Sequence, residues 1–129
     1  MSSGPIKRIF HTERLGNTLL VQPLQSVMGA DLDQADVELR MMVEMLRDPE
    51  LVHVVVDFAG LTYFGASMLG GIAMLWKKVS DHHGHLALCN VPRHGREVLR
   101  TTRLNKLWQV YDSRAEAVQA LHAAMPAAR

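Results

Sequence analysis

Several things are scarce in this chain of 129 residues, and each scarcity excludes a class of protein. There is one cysteine, Cys89. No internal disulfide can form, so a reducing, bacterial-type cytoplasm is the expected setting. Lys and Arg number 14 against 13 Asp and Glu, a formal net charge of +1. So even a balance gives no bulk attraction to nucleic acid or to an anionic membrane, and any basic site must be a local patch. No apolar run approaches the roughly 18 residues of a membrane span. The stretch MSSGPIKRIF lacks the long apolar core of a signal peptide. Neither nucleic-acid binding nor direct membrane insertion is expected. There is no internal repeat and no GxxxxGK[ST] loop, and GASMLGG does not match a dinucleotide fingerprint. No Ser-His-Asp set is supported by spacing. An enzyme is therefore not expected, and no cofactor is called for.

What is present reads as one globular domain. Hydrophobic residues make up 48%, near the globular average, and the length suits a single domain spanning 1–129. The packed part is expected over 5–122, with loose ends at MSSG and AAMPAAR. Ile6 to Arg14 reads as a first strand and Asn17 to Pro23 as a second, with Leu15-Gly16-Asn17 turning between them. A helix capped by Asp31 or Asp33 runs to about Arg47, where Asp48-Pro49 ends it. Leu51 to Phe58, LVHVVVDF, is a nearly continuous apolar strand of the kind covered by helices. A second helix runs from about Ala66 to Asp81, its stripe of Met68, Leu69, Ile72, Leu75, Trp76 and Val79 facing inward. Gly84 is the expected left-handed cap. His85 to Val91 is a strand, Arg93 to Thr102 a helix, Leu107 to Tyr111 a final strand. A last helix is capped by Asp112 or Ser113 and turns Ala117, Val118 and Leu121 to the core. The fold class is α/β: a mixed, mostly parallel sheet of about five strands, with about four helices packed chiefly on one face.

The chemistry concentrates at one loop. Between the strand ending at Asp57-Phe58 and the helix beginning near Ala66 sit the small residues Gly65-Ala66-Ser67. Helix starts expose N–H groups that attract anions and partners. Thr62 is expected as a strand-end or turn residue, and Tyr63 and Phe64 as packing residues. Gly70 and Gly71 permit a close approach of another backbone or of a partner.

Other constellations admit both a plain and a functional reading. His82, His83 and His85 lie close together, with His53 and His94 elsewhere. Beyond Asp81 nothing completes a ligand set, so no metal site is expected. Arg93, Arg96, Arg100 and Arg103, extended by Lys106, recur at helical spacing. They are either a solvated face or an anion or acidic-partner stripe. In the first helix Leu32, Ala35, Leu39, Met42, Val43 and Leu46 form the expected core stripe. Val37, Met41 and Met45 form a second one. Either a neighbouring element covers it, or it is a subunit or partner face, which leaves homo-oligomerisation open.

The order of elements and three stretches of sequence resemble the STAS domain family: the anti-sigma-factor antagonists and their relatives in stress-signalling complexes and anion transporters. The stretches are HVVVDFAGLTYFGASMLGGIAML, KKVSDHHGHLALCNV and EVLRTTRLNKLWQVYDSRAEAVQAL. The resemblance implies a non-enzymatic, cytoplasmic protein-protein interaction module of bacterial signalling and transcription regulation. Its implied partner is an anti-sigma factor or serine kinase of the switch type, docking on Gly65, Ala66, Ser67 and Met68 and on the following helix. The family's loop typically reads Asp-Ser-Ser-Gly-Leu, and its first Ser is phosphorylated. Here Gly65 stands at the Asp position and Ala66 at that Ser. A methyl group accepts no phosphate, so constitutive binding without the serine switch is implied. Ser67 is the weak substitute, about 100° further round the helix, and its plain role is capping or packing. The resemblance also admits a STAS-like subunit of a lipid-transport ATPase complex, and the helix starts at Ala66 and Arg93 leave open a small module binding a nucleotide or anion.

Overall fold

The computed structural model describes residues 8–25, 32–61 and 64–124. Its elements run β1 (Phe10–Leu15), β2 (Thr18–Pro23), α1 (Leu32–Met45), β3 (His53–Asp57), α2 (Ala66–Ser80), β4 (Leu86–Cys89), α3 (Arg93–Thr101), a 3-10 turn (Leu104–Lys106), β5 (Gln109–Tyr111) and α4 (Arg114–Ala124). The sheet order is β1-β2-β3-β4-β5. β1 pairs antiparallel with β2, and every later pair is parallel. Each crossover steps one strand in the same direction, and right-handed connections then place α1, α2 and α3 on one face.

Alternation along the strands divides the core in two. Leu19, Val21, Val54, Val56, Leu86 and Leu88 face the larger cluster under α1, α2 and α3, which holds Leu39, Leu75 and Leu99. Leu20, Val55, Ala87 and Cys89 face the other way, against Ala117 and Leu121 of α4. All five residues of β3 are buried, as a strand covered on both faces must be. Cys89 lies wholly inside; burial first, then the nearby Asp57 charge, push its thiol up to about 12. The edge strand is fastened by Glu38 of α1, whose carboxylate accepts the N–H groups of Ile9 at 2.9 Å and Phe10 at 2.8 Å.

Several expectations are corrected. Strand β1 begins at Phe10 and extends to Leu15, which pairs with Thr18, so the turn is Gly16-Asn17 with Gly16 at φ +61°; Ile6 lies outside the described residues. Helix α1 stops at Met45, and residues 46–48 continue only as turns. Asp33 lies inside its first turn and is not the cap, while Asp31 falls outside the described residues. Leu32, the first residue of α1, is exposed rather than core. The final strand is only Gln109–Tyr111. Arg103 turns the chain at φ +64°, and the 3-10 turn that follows delivers Trp108 into the core and leaves Leu107 exposed. Of the two candidate caps for α4, Ser113 acts: its Oγ accepts the Glu116 N–H at 3.1 Å.

Gly84 is not the left-handed residue. His83 is, at φ +61°. The Gly84 N–H donates to the Val79 carbonyl at 2.8 Å and the His83 N–H to the Ser80 carbonyl at 3.0 Å, the two bonds of a Schellman ending. Gly84 is needed for closeness instead: a Cβ there would lie 1.7 Å from the Val52 carbonyl oxygen.

His53 is wholly buried at the start of β3. Its Nδ1 accepts the His85 N–H at 3.0 Å, so the neutral ring carries its proton on Nε2. The His85 ring stacks on it with centroids 5.6 Å apart. Burial above all, helped by repulsion from His85 and His122, pushes its pKa down to about 4.

Two outcomes follow from these contacts. Gly84→Ala must displace backbone and is expected to cost at least about 3 kcal/mol in urea unfolding. Stability is expected to fall between pH 6.5 and 4, because the unfolded chain takes up a proton that folded His53 refuses. That loss is on the order of 3 kcal/mol, read as a steeper drop from pH 7 to 4.5 in the wild type than in His53→Gln.

Candidate functional site

The site is built where β3 ends. Asp57 is its last residue and is 2% exposed. Oδ1 of Asp57 accepts the Ala59 N–H at 2.9 Å and the Asn90 side-chain amide at 2.8 Å. Its Oδ2 accepts Nε of Arg114 at 2.8 Å. Arg114 opens α4 and also donates to Gln22 of β2 at 3.5 Å. One carboxylate thus joins the ends of β3 and β4, the end of β2 through Arg114, and the start of α4. Burial alone would raise its pKa. The bonds from Asn90, Ala59 and Arg114, with the Arg114 charge, outweigh burial and hold it below the usual carboxylate value. Asn90 occupies the left-handed region at φ +54°, which asparagine tolerates better than most residues.

The loop leaves this hub through a tight turn. The Leu61 N–H donates to the Phe58 carbonyl at 2.9 Å, and Gly60 takes φ +85° at the turn's third position, where a side chain would be strained. Two buried rings hold the loop's ends: Phe58 and Phe64 stack at 4.9 Å. Phe64 rests on α3 at Gly95, where a Cβ would lie 2.3 Å from the ring. Thr62 and Tyr63 fall outside the described residues.

The helix then begins. Gly65 is the N-cap of α2, and no side chain caps it. Ser67 therefore does not have the capping role read from sequence, because it sits at the second helical position, past the place from which a hydroxyl folds back. Ala66 and Ser67 are exposed side by side, while Met68 is 3% exposed and belongs to the core. Of the four residues singled out, Gly65, Ala66 and Ser67 form the surface, and Met68 anchors it from beneath.

The arginine stripe is shortened to three residues of α3. Arg96 pairs with Asp112 at 3.1 Å and Arg100 with Glu97 at 3.3 Å. Arg103 lies beyond α3 in the left-handed turn, so only Arg93, Arg96 and Arg100 share the helix. Among the described residues no three His, Cys, Asp or Glu side chains gather to hold a metal ion, and none of the helices is long and apolar enough to cross a membrane. Val37, Met41 and Met45 are all exposed among the described residues. Met41 and Met45 border a cleft of about 270 Å³ between α1 and β1.

Asp57, Asn90 and Arg114 received no role from sequence reasoning. A signal was there: an acid closing an apolar strand must be buried, and a buried carboxylate needs donors. Which donors serve is fixed only by the fold, since Arg114 is 57 positions away. The packing of Phe64 on Gly95 generates a test. Gly95→Ala is expected to push the ring outward, cost about 1–3 kcal/mol, and raise amide exchange across residues 58–65 in preference to the rest of the sheet.

Comparisons with known proteins match the fold and the family. The family model described as the STAS domain matches residues 18–117. A protein of Bordetella bronchiseptica, BtrV, named as a candidate anti-sigma factor antagonist, is 29% identical over 109 residues, covering 84% of this chain and 90% of its own. A candidate anti-sigma factor antagonist from Thermotoga maritima superposes with a TM-score of 0.76 at 17% identity, covering 88% of this chain and 94% of that one. The anti-sigma factor antagonist SpoIIAA in its unphosphorylated form superposes at 0.74 with 14% identity, over 91% of this chain and 99% of that one. An anti-sigma-factor antagonist domain protein from Planctomyces limnophilus gives 0.72 at 20% identity, over 88% and 97%. The chain belongs to the STAS domain family.

Proposed function

We propose that this chain is a non-enzymatic interaction module of the anti-sigma-factor antagonist type, whose surface at Gly65, Ala66 and Ser67 and the following helix α2 docks on a switch kinase or anti-sigma factor. The observation that carries the reading is the exposed pair Ala66-Ser67 at the open start of α2, on a loop secured from below by Phe58, Phe64 and Asp57. A surface held this firmly can be recognised at little cost in ordering.

The serine switch is absent from this reading. A phosphate at a helix start would bring about −1.5 to −2 charge and the favour of the helix dipole. At Ala66 there is no hydroxyl to carry it. Docking is then constitutive, set by how much protein is present. The signalling role and the partner class follow from the family likeness.

The test is capture from native lysate on the immobilised chain, with and without ATP, and identification of what is retained. A switch kinase or anti-sigma factor is expected in equal amount in both conditions and is expected to be lost from Ala66→Glu, which places bulk and charge on the docking surface. Retention that disappears with ATP would overturn the constitutive reading. Retention of a lipid-transport ATPase instead would transfer the chain to a different complex.

A further inference from the structure

Helices α1 and α2 do not close over the sheet. Between them runs an apolar cleft of about 280 Å³ that reaches down to Val21 of β2 and Val56 of β3. Leu39, Ile72 and Leu75 wall it, and its α2 side carries Ser67, Gly70 and Gly71. The cleft therefore begins at the docking loop and continues along the same helix. At Gly71 the Leu39 side chain already occupies the space a Cβ would take, at 2.9 Å. At Gly70 a Cβ would meet nothing within 4 Å among the described residues, which leave the wall open there. Apolar surface also spreads beyond the cleft onto its rim, where Leu32 is 45% and Met74 46% exposed. A small ligand would leave that rim bare; a second macromolecule would cover it.

Charge selects among such partners. The first ten residues of α2, ASMLGGIAML, hold no charged side chain. Helix α1 holds Asp33, Asp36, Glu38 and Glu44 against Arg40 alone. Asp36, which lines the cleft, pairs with Arg40 at 3.0 Å in an exposed ion pair that solvent screens. Glu38 is engaged by the N–H groups of Ile9 and Phe10, so α1 stays acidic on balance. An apolar cleft with one neutral and one acidic wall suits an apolar segment flanked by basic residues and opposes fatty-acid or phospholipid headgroups.

We propose that the α1–α2 cleft receives an amphipathic helix of the partner protein, whose apolar side chains at helical spacing fill the cleft while flanking Lys or Arg residues face α1. This rests on the reading of the loop as a docking surface and extends that surface into a groove that supplies anchoring.

A phage-displayed library of random peptides, panned on the wild type and counter-selected on Gly70→Phe, tests it. The variant fills the open wall and removes a helix glycine, so its melting temperature is expected to hold or rise. Met74→Lys, at the exposed rim, serves as a second variant that leaves the core untouched. Enriched peptides are expected to show apolar residues at i, i+3 or i+4 with basic flanks, and to bind both variants about tenfold or more weakly. Peptides indifferent to both variants, or an acidic consensus, would overturn the proposal. So would stabilisation of the wild type but not of Gly70→Phe by sodium decanoate or decyl maltoside with no such peptide enriched, which would make the cleft a small-ligand pocket. The loop reading is scored apart, by capture with Ala66→Glu. Capture lost from Ala66→Glu but kept by Gly70→Phe would sink the groove and leave the loop, and the reverse would sink the loop and leave the groove.

Discussion

A single buried carboxylate holds together the end of the sheet where β3 stops. Asp57 is taken out of water at the point where β3 gives way to the loop, and an isolated charge there would be costly. It is tolerated because donors from three elements converge on it: the Ala59 N–H at the start of the loop, the Asn90 amide after β4, and the Arg114 guanidinium at the start of α4. Charge-assisted bonds of this kind fix positions as well as lower energy. Arg114 is itself 40% exposed, so solvent shares its charge and the pair is less costly to bury than a fully enclosed one. The direction of the chain as it leaves the sheet is thereby tied to the helix on the opposite face.

Beyond that point the described residues at the two ends of the loop are held by packing. Phe58 and Phe64 bring its two ends together by stacking, and Gly95 leaves the hollow into which Phe64 fits. The same division of labour runs through the fold. Small residues permit close approach, at Gly95 for a ring, at Gly84 for the Val52 carbonyl and at Gly71 for Leu39, while large ones fill what remains. Gly70 departs from this pattern, since among the described residues nothing packs where its side chain would be. A position left open on the helix that follows the proposed docking loop suits the proposal of a surface shaped for another molecule. The loop itself keeps the shape of a recognition element while carrying a methyl group at Ala66.

Much of this was legible in the sequence. The strand-helix alternation, the continuous apolar run of β3 and the heptad-like stripe of α2 fix the architecture, because hydrophobic periodicity is a local property. The core positions Ala117 and Leu121 on α4 followed from the same spacing. What was not legible depends on contacts across the fold. Gly84 looked like a left-handed cap, yet its role is set by Val52, which a local pattern does not include. The stretch Leu107 to Tyr111 has the composition of a strand, but Arg103 adopts the left-handed turn that sends Trp108 into the core. The arginine stripe is shortened to Arg93, Arg96 and Arg100 because the helix stops before Arg103, and Arg96 and Arg100 make exposed ion pairs with Asp112 and Glu97. At the site, the small loop stood out by its residue types. The Asp57 hub did not, since its partners are scattered along the chain.

The central claim is that the docking loop works without a phosphate. The most direct measurement is the intact mass of the chain purified from its own cells in growth and under stress, followed by peptide mapping of residues 57–75. One unmodified species in both conditions is the expected result. A phosphate on Ser67, Thr62 or Tyr63 in either condition, in the fraction that no longer binds its partner, would contradict it.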